Sequence, residues 1–421
     1  MSVNQAIDEQ LASLGLVSNP YPIYDELREN HPVYWSEAWN AWLVTRYDDV
    51  VAIARDHHRF VNAGRYTLFM DQLPDEQKAE FSDFYEYWTK PGFNLSDPPD
   101  HGLVRTLAKR FFTRRAMEKI RPRVQQLVDG LIDEVIEDGQ MDVVHDIATP
   151  LPATVIAEVL GLPSDDVGWF KQTTLDYISF LGTGAPEPET IRRSQAALLE
   201  LREWITGVLE DRRRNPRDDV LTALVAAHDR GEMVSEDQLL ATCVDLASGG
   251  DELLTHVIGT GILSLCEHPD QLELLVEAPA LMPQAISEML RYQPPFQQDW
   301  RLTTEDVEVR GVKIPKGRIV RLILAAANRD PRVFPAPGAF NIKRDPNRHI
   351  AFGFGIHLCV GSPLAAVELD IAFSTLLNRL ENLQIASDVL EWHPSNGPRG
   401  LKKLPVTFSS GQRLSATYTE V

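Results

Sequence analysis

AFGFGIHLCVG, residues 351–361, closes a glycine-bearing loop on a cysteine and runs directly into SPLAAVELDIAF, a strong helical pattern. The sulfur of Cys359 therefore belongs near a helix N-terminus, where backbone N–H groups and the positive end of the dipole favour a thiolate. Gly353, Gly355 and Gly361 let the backbone turn and approach a large flat ligand closely. A lone free cysteine is more often a small buried hydrophobe, so the surrounding pattern has to decide. The other two cysteines, Cys243 and Cys266, fall on an apolar helical pattern as core residues. No CxxC spacing suggests structural zinc, and three cysteines in this length make no disulfide framework.

Upstream, Ser235 followed by Gln238 is a capping-box signature. From it an apolar helix is expected to run through residues 235–268, because the residue before Pro269 resists the helical region. A helix of about 30 residues is roughly 45 Å long and crosses a whole domain. Its middle reads SGGDELLTHVIG, residues 248–259, with two helix-weakening glycines and two carboxylates where a buried stretch is expected.

The remaining chain sets the class. Helical periodicity recurs at 117–139, 148–162 and 192–214, while strand signals are confined to a hairpin at 32–50 and a segment at 307–328. Residues 61–98 form a long aromatic-rich connection, part of which is expected to be helical. The expectation is a mainly α protein with small β-sheets, folded as one domain over 1–421. Among 421 residues, 43% are hydrophobic and 24% charged, which suits a globular chain with a large core. A net charge of −20 without a basic run argues against nucleic acid as a partner. No apolar run approaches a membrane span and the N-terminus lacks a basic signal region, so no membrane and a cytoplasmic location are expected.

Residues 352–361 resemble, at every fixed position, the heme-ligand loop of the cytochrome P450 family, F-G-x-G-x-H-x-C-x-G. The resemblance implies that family's fold and heme b, with Cys359 as the axial thiolate on iron and His357 at a heme propionate. Phe352, Gly353 and Gly361 then shape the loop around the cofactor. EMLRY supplies Glu288 and Arg291, similar to the family's structural E-x-x-R pair. ANRDPRVFPAPGAF resembles the meander that follows it, with Ala339 where many members carry a third arginine, so that the triad is either incomplete or borrows Arg344. DPPDHGLVRTLAKRFFT resembles the helix whose His101 and Arg105 reach the propionates, and Arg301 matches another propionate position.

The 235–268 helix aligns with the helix that passes over the oxygen-binding face of heme. The usual A/G-G-x-D/E-T-T/S reads here Gly249-Gly250-Asp251-Glu252-Leu253-Leu254. By that alignment the glycines leave room for heme and dioxygen, and Glu252, beside Asp251, links the site to solvent protons. Leu253 stands where the family's threonine donates a hydrogen bond during protonation, and a leucine has no donor. Thr255 is rotated roughly 200° around the helix from it. Three consequences are open: a polar or phenolic substrate group assists, the reaction is oxidative coupling, or peroxide is used.

By family position the substrate faces residues 61–98, 176–184, 245–253 and Phe296 to Trp300. Within FQQDW, Phe296, Gln297, Gln298 and Trp300 either wall a pocket for a polar ring-containing substrate or have their polar groups satisfied by backbone. Lys109, Arg110, Arg114 and Arg115 make a basic cluster that is either a solvated helix face or a docking site for an acidic ferredoxin. With no flavin or NAD motif in the chain, electrons would come from a ferredoxin and ferredoxin reductase, to a monomer acting on a small molecule. The expected activity is a heme-thiolate monooxygenase of secondary metabolism. An oxidative-coupling member and a non-catalytic heme sensor are the alternatives.

Overall fold

The computed structural model describes residues 3–13, 15–71, 73–89, 92–163, 167–180, 187–233, 235–395 and 397–414. Helices dominate, and their inward faces follow the sequence periodicity. In the Arg121–Val135 helix, Val124, Val128 and Ile132 repeat every four residues and are buried. That face packs on the Ser362–Arg379 helix that follows Cys359. Polar staples lock the two helices together: Arg121 donates to Asp370 at 2.7 Å, Gln125 to Thr375 at 3.0 Å, and Arg379 pairs with Asp129 at 3.2 Å. The cysteine loop is thus anchored at its helical end before any ligand is considered.

The main sheet has five strands in the spatial order Val33–Ser36, Ala41–Val44, Ile319–Leu322, Asp299–Thr303 and Phe60–Val61. The expected hairpin at 32–50 forms its first two strands, antiparallel with Trp35 opposite Trp42. Ala41–Val44 pairs parallel with Ile319–Leu322, and the latter antiparallel with Asp299–Thr303, where Arg301 faces Val320. Residues 307–328 do not stay together: Val307–Val309 and Val312–Ile314 make a separate two-stranded ribbon before the chain enters the larger sheet. Side chains bury into one large helical core and two smaller clusters against the sheet.

Glu288 and Arg291 are both fully buried and form a two-point ion pair at 2.7 and 2.8 Å. Arg344 Nε reaches the same carboxylate at 3.1 Å, and Asn347 donates to it at 3.1 Å. Arg344 therefore takes the third-arginine place that Ala339 cannot. Every oxygen of the buried acid is engaged, which is the condition for a buried charge to be tolerated.

Two expectations are corrected. The helix over 235–268 is two helices, Glu236–Gly249 and Glu252–Glu267, interrupted at Gly250 and Asp251. Two glycines lower the helical preference there, and Asp251 sits at the edge of the right-handed helical region (φ −111°, ψ −69°) with its carboxylate on Lys171. The outer limits hold: Ser235 accepts from the Gln238 N–H, and His268 ends the second helix before Pro269. Second, Val143–Leu160 is long and apolar enough by composition to cross a membrane, but it is a π turn leading into a helix, with 61% of it buried in the protein. As expected, part of 61–98 is helical, in short helices at Thr67–Met70, Asp75–Glu80 and Ser82–Thr89.

Candidate active site

The cysteine loop is shaped by its own backbone. Gly353 and Gly355 are left-handed (φ +74° and +75°), and the Cys359 N–H donates to the Phe352 carbonyl at 2.9 Å. Gly355 has a packing reason as well, since a Cβ there would lie 2.2 Å from the Ala54 carbonyl oxygen. That atom belongs to the Tyr47–Arg55 helix, which packs against the loop here. Phe352 is half-buried at the edge of the large core. Cys359 is exposed, and Gly361 sits beside its sulfur. Burial on the protein side pushes its thiol pKa up, while the N–H groups of Gly361 and Ser362 and the Arg105 guanidinium pull it down. Arg105 also donates to the Leu358 carbonyl, tying the Asp100–Phe111 helix to the loop. Cys243 is buried and Cys266 half-buried; burial pushes the Cys266 thiol up to about 11.

A group of cationic or neutral donors gathers beside the loop. The rings of His101 and His357 lie 4.2 Å apart, and Nε2 of each is buried without a hydrogen-bond partner. Burial, His357 and Arg105 push the His101 pKa down to about 4, and burial also lowers that of His357. Asp97 Oδ1 stands 3.8 Å from His357 Nε2, outside hydrogen-bond reach. Its carboxylate instead accepts from the N–H groups of Asn62 and Ala63. Arg301 is 2% exposed; Nη1 pairs with Asp299 at 2.8 Å while Nη2 has no partner. Arg65 joins them, donating to Asn62 and to the Trp300 carbonyl at 3.0 Å, with its Nε unpartnered. Burial raises the Asp299 carboxyl, yet Arg301 and Arg65 hold it below its ordinary range. Unpartnered buried donors are costly, and this set suits the two carboxylates of a propionate-bearing macrocycle. Arg65, Asp97 and Asp299 carried no local signal as members of the set.

At the helix break the two glycines differ. Nothing lies within 4 Å of a Cβ built on Gly249, whereas one on Gly250 would meet Ile156 Cγ1 at 2.4 Å. Gly249 is open; Gly250 is needed for helix contact. Asp251 is fully buried, with Oδ1 at 2.6 Å from Lys171 Nζ and Oδ2 unpartnered. Burial raises its pKa against the pull of Lys171. Glu368, on the helix after the cysteine, is also fully buried with neither oxygen hydrogen-bonded. Burial and then the Asp251 charge push its pKa well up. Glu252 and Leu253 are half-buried, and the Thr255 hydroxyl is turned to the Asp251 carbonyl at 3.4 Å. Lys171 and Glu368 were missed in the sequence because each reaches the break only through the fold, whereas His256 stands one helical turn from Glu252 and was within reach of spacing.

Phe296 forms an isolated bridge with Pro398. The Gln297 amide donates to the Pro294 carbonyl at 2.6 Å, leaving its Oε1 unpartnered, and Gln298 Oε1 faces Arg321. Trp300 lies under the Arg321 guanidinium at 4.3 Å and 5.9 Å from the Tyr66 ring. Tyr66 continues into Trp88 and Phe180 at 4.6 and 5.7 Å. Of the 176–184 stretch, 181–184 lies outside the described residues. On the face that carries Arg105, Lys109, Arg110, Arg114 and Arg115 are all exposed, as are Leu103 and Leu358.

The sequence profile of one family, described as Cytochrome P450, matches residues 188–403. The cytochrome P450 monooxygenase PikC of Streptomyces venezuelae is 36% identical, covering 96% of this chain and 94% of its own. Among solved structures, P450BioI in complex with a hexadec-9Z-enoic acid ligated acyl carrier protein superposes with a TM-score of 0.86 at 34% identity, covering 94% of this chain and 100% of that one. CxnD, a cytochrome P450 enzyme for C–S bond formation in chuangxinmycin biosynthesis, gives 0.82 at 33% identity over 94% and 95%.

Proposed function

Because the chain belongs to the cytochrome P450 family of oxidoreductases, whose members hold heme through a cysteine thiolate, we propose that it is a monooxygenase of secondary metabolism acting on a small, ring-containing molecule that carries a polar group. The observation behind this reading is the pairing of Cys359 with the unpartnered buried donors of His101, His357 and Arg301. Heme held by Cys359 supplies dioxygen activation and transfer of one oxygen atom to the substrate. Phe352, Gly353 and Gly361 frame the loop, and the two histidines with Arg301 meet the propionates, while Arg105 braces the loop and softens the thiolate charge.

Asp251 is engaged by Lys171, so Glu252 is the acid left to pass protons. Leu253 offers no hydroxyl, and a hydroxyl or ordered water carried by the substrate supplies the missing donor. Gly249 keeps that space open. Phe296, Gln297 and Trp300, with Tyr66 and Trp88, wall the substrate side. Gln298 acts behind them through Arg321. Electrons arrive from a ferredoxin and its reductase, steered to Lys109, Arg110, Arg114 and Arg115. The enzyme works as a cytoplasmic monomer.

A reconstituted ferredoxin system with product and peroxide analysis tests the reading. Reduced protein with carbon monoxide shows the thiolate-type absorption shift. Leu253→Thr raises the product-to-peroxide ratio with substrates lacking a polar group and changes it little with those that have one. An equal gain with every substrate defeats substrate assistance. A second reading, oxidative coupling, is favoured by Leu253 together with the structural neighbour named for C–S bond formation; it predicts a bond-forming product without incorporated oxygen.

A further inference from the structure

We infer that His393, His256 and Glu252 form a relay that carries protons from solvent to the break between the two central helices. The inference rests on the monooxygenase reading, in which the absent hydroxyl at Leu253 makes the source of protons the open question. Asp251 is taken by the Lys171 ion pair at 2.6 Å. Glu252 is different: among the described residues its one charged or titratable neighbour within ion-pair distance is His256, with Nε2 3.7 Å from Glu252 Oε1, one helical turn on.

His256 is an unusual buried residue. It is 4% exposed, and neither ring nitrogen has a hydrogen-bond partner. A buried polar side chain left in this way calls for a functional explanation. The ring is held by the C-terminal segment: a Cβ on Gly400 would fall 1.9 Å from His256 Nδ1, so only a glycine backbone can lie against it. The same segment brings in His393, whose N–H donates to the Gly400 carbonyl at 3.0 Å. The His393 ring is centred 5.6 Å from that of His256, and the residue is exposed. An exposed imidazole, a buried imidazole and a half-buried carboxylate thus stand in sequence from solvent to the helix break.

Each transfer is balanced. His393 takes one proton from solvent on one ring nitrogen and releases one from the other; His256 does the same, and Glu252 receives the proton on its carboxylate. No electron moves. Gaps of this size are crossed by ring reorientation or a single bridging water. The charged groups acting on the path are Glu252 and Asp251 at the helix break, Lys171 from the helix packed over it, and Lys402 beside His393. Burial, then His256, hold the His393 pKa below its ordinary value, and Glu252 pulls it upward. His256 and His393 act through Glu252, as relay and positioning groups.

The test uses the heme-loaded enzyme with ferredoxin and reductase, comparing wild type, His393→Gln, His256→Gln and the double variant. Since His393 is exposed, its variant is not expected to disturb folding, and the carbon monoxide absorption shift checks all four proteins. The relay predicts a five- to twentyfold fall in kcat for each single variant and no further fall for the double. It also predicts a larger solvent deuterium isotope effect and loss of the wild-type fall in kcat as pH rises through the lowered His393 pKa. Independently of turnover, the ring-proton NMR titration of His393 shifts to lower pH in Glu252→Gln. Additive losses, an unchanged pH profile and isotope effect, or an unmoved His393 titration overturn the relay. Absence of the absorption shift in the wild type overturns the monooxygenase reading and the relay with it.

Discussion

Cys359 and Glu368 lie nine positions apart, one at the head of the Ser362–Arg379 helix and one within it, and they face opposite demands. The cysteine is exposed with N–H groups turned to its sulfur, a setting for a metal-binding thiolate. Cys359→His is expected to abolish the thiolate-type absorption shift with carbon monoxide while leaving the fold intact by circular dichroism. Glu368 has no partner at either oxygen, and its carboxyl pKa is raised in the folded protein. A carboxyl with a raised folded pKa favours the folded state most below its unfolded pKa of about 4.3, and that advantage is lost as pH rises toward the folded value. Glu368→Gln is therefore expected to raise the Tm at pH 8 more than at pH 5, a difference that calorimetry at the two values measures. The motif around Cys359 was legible from its resemblance to the family's heme-ligand loop. Glu368 was not, because nothing local distinguishes a buried glutamate from one on a solvated helix face.

At the scale of elements, the central helix pair carries the main lesson. The glycines at 249 and 250 were legible as a disturbance, but their separate roles required the neighbours. Gly250→Ala forces a methyl onto Ile156, and overpacking of this kind costs about 1–3 kcal/mol; a lower denaturation midpoint at unchanged m-value is the expected result. Gly249→Ala meets no protein atom, so its midpoint holds while substrate-induced spin-state titrations weaken. If both variants lose equal stability, the assignment of Gly249 to the open face fails. The helix break itself escaped periodicity, because apolar spacing continues across it and the Lys171–Asp251 pair found there joins residues 80 positions apart. The buried Glu288–Arg291 pair shows the reverse case: its i, i+3 spacing was visible, and tertiary packing added Arg344 and Asn347.

For the whole molecule, a net charge of −20 makes a small basic face conspicuous. Lys109, Arg110, Arg114 and Arg115 are exposed on the elements that brace the cysteine loop. Steering by such a face depends on ionic strength. Arg110→Glu with Arg114→Glu is expected to slow reduction by an acidic ferredoxin at least tenfold at low salt and to flatten its salt dependence, as read by stopped-flow absorbance. An unchanged salt slope removes this face from docking. The charge imbalance was plain in the composition, whereas the common exposure of the four cations on two successive helices depends on how the chain turns at Thr113.

The sequence by itself determined the helical class, the cysteine loop and the order of its supporting motifs, because each is encoded by residues close together along the chain. It also exposed Leu253, since a missing hydroxyl is visible wherever a pattern expects one. Only the tertiary structure decided which acid is engaged, where the long helix breaks, which of two glycines is open, and how His256 and His393 come to stand together. Those outcomes depend on contacts between distant segments, where burial raises the cost of an unpaired polar group and so selects its partners.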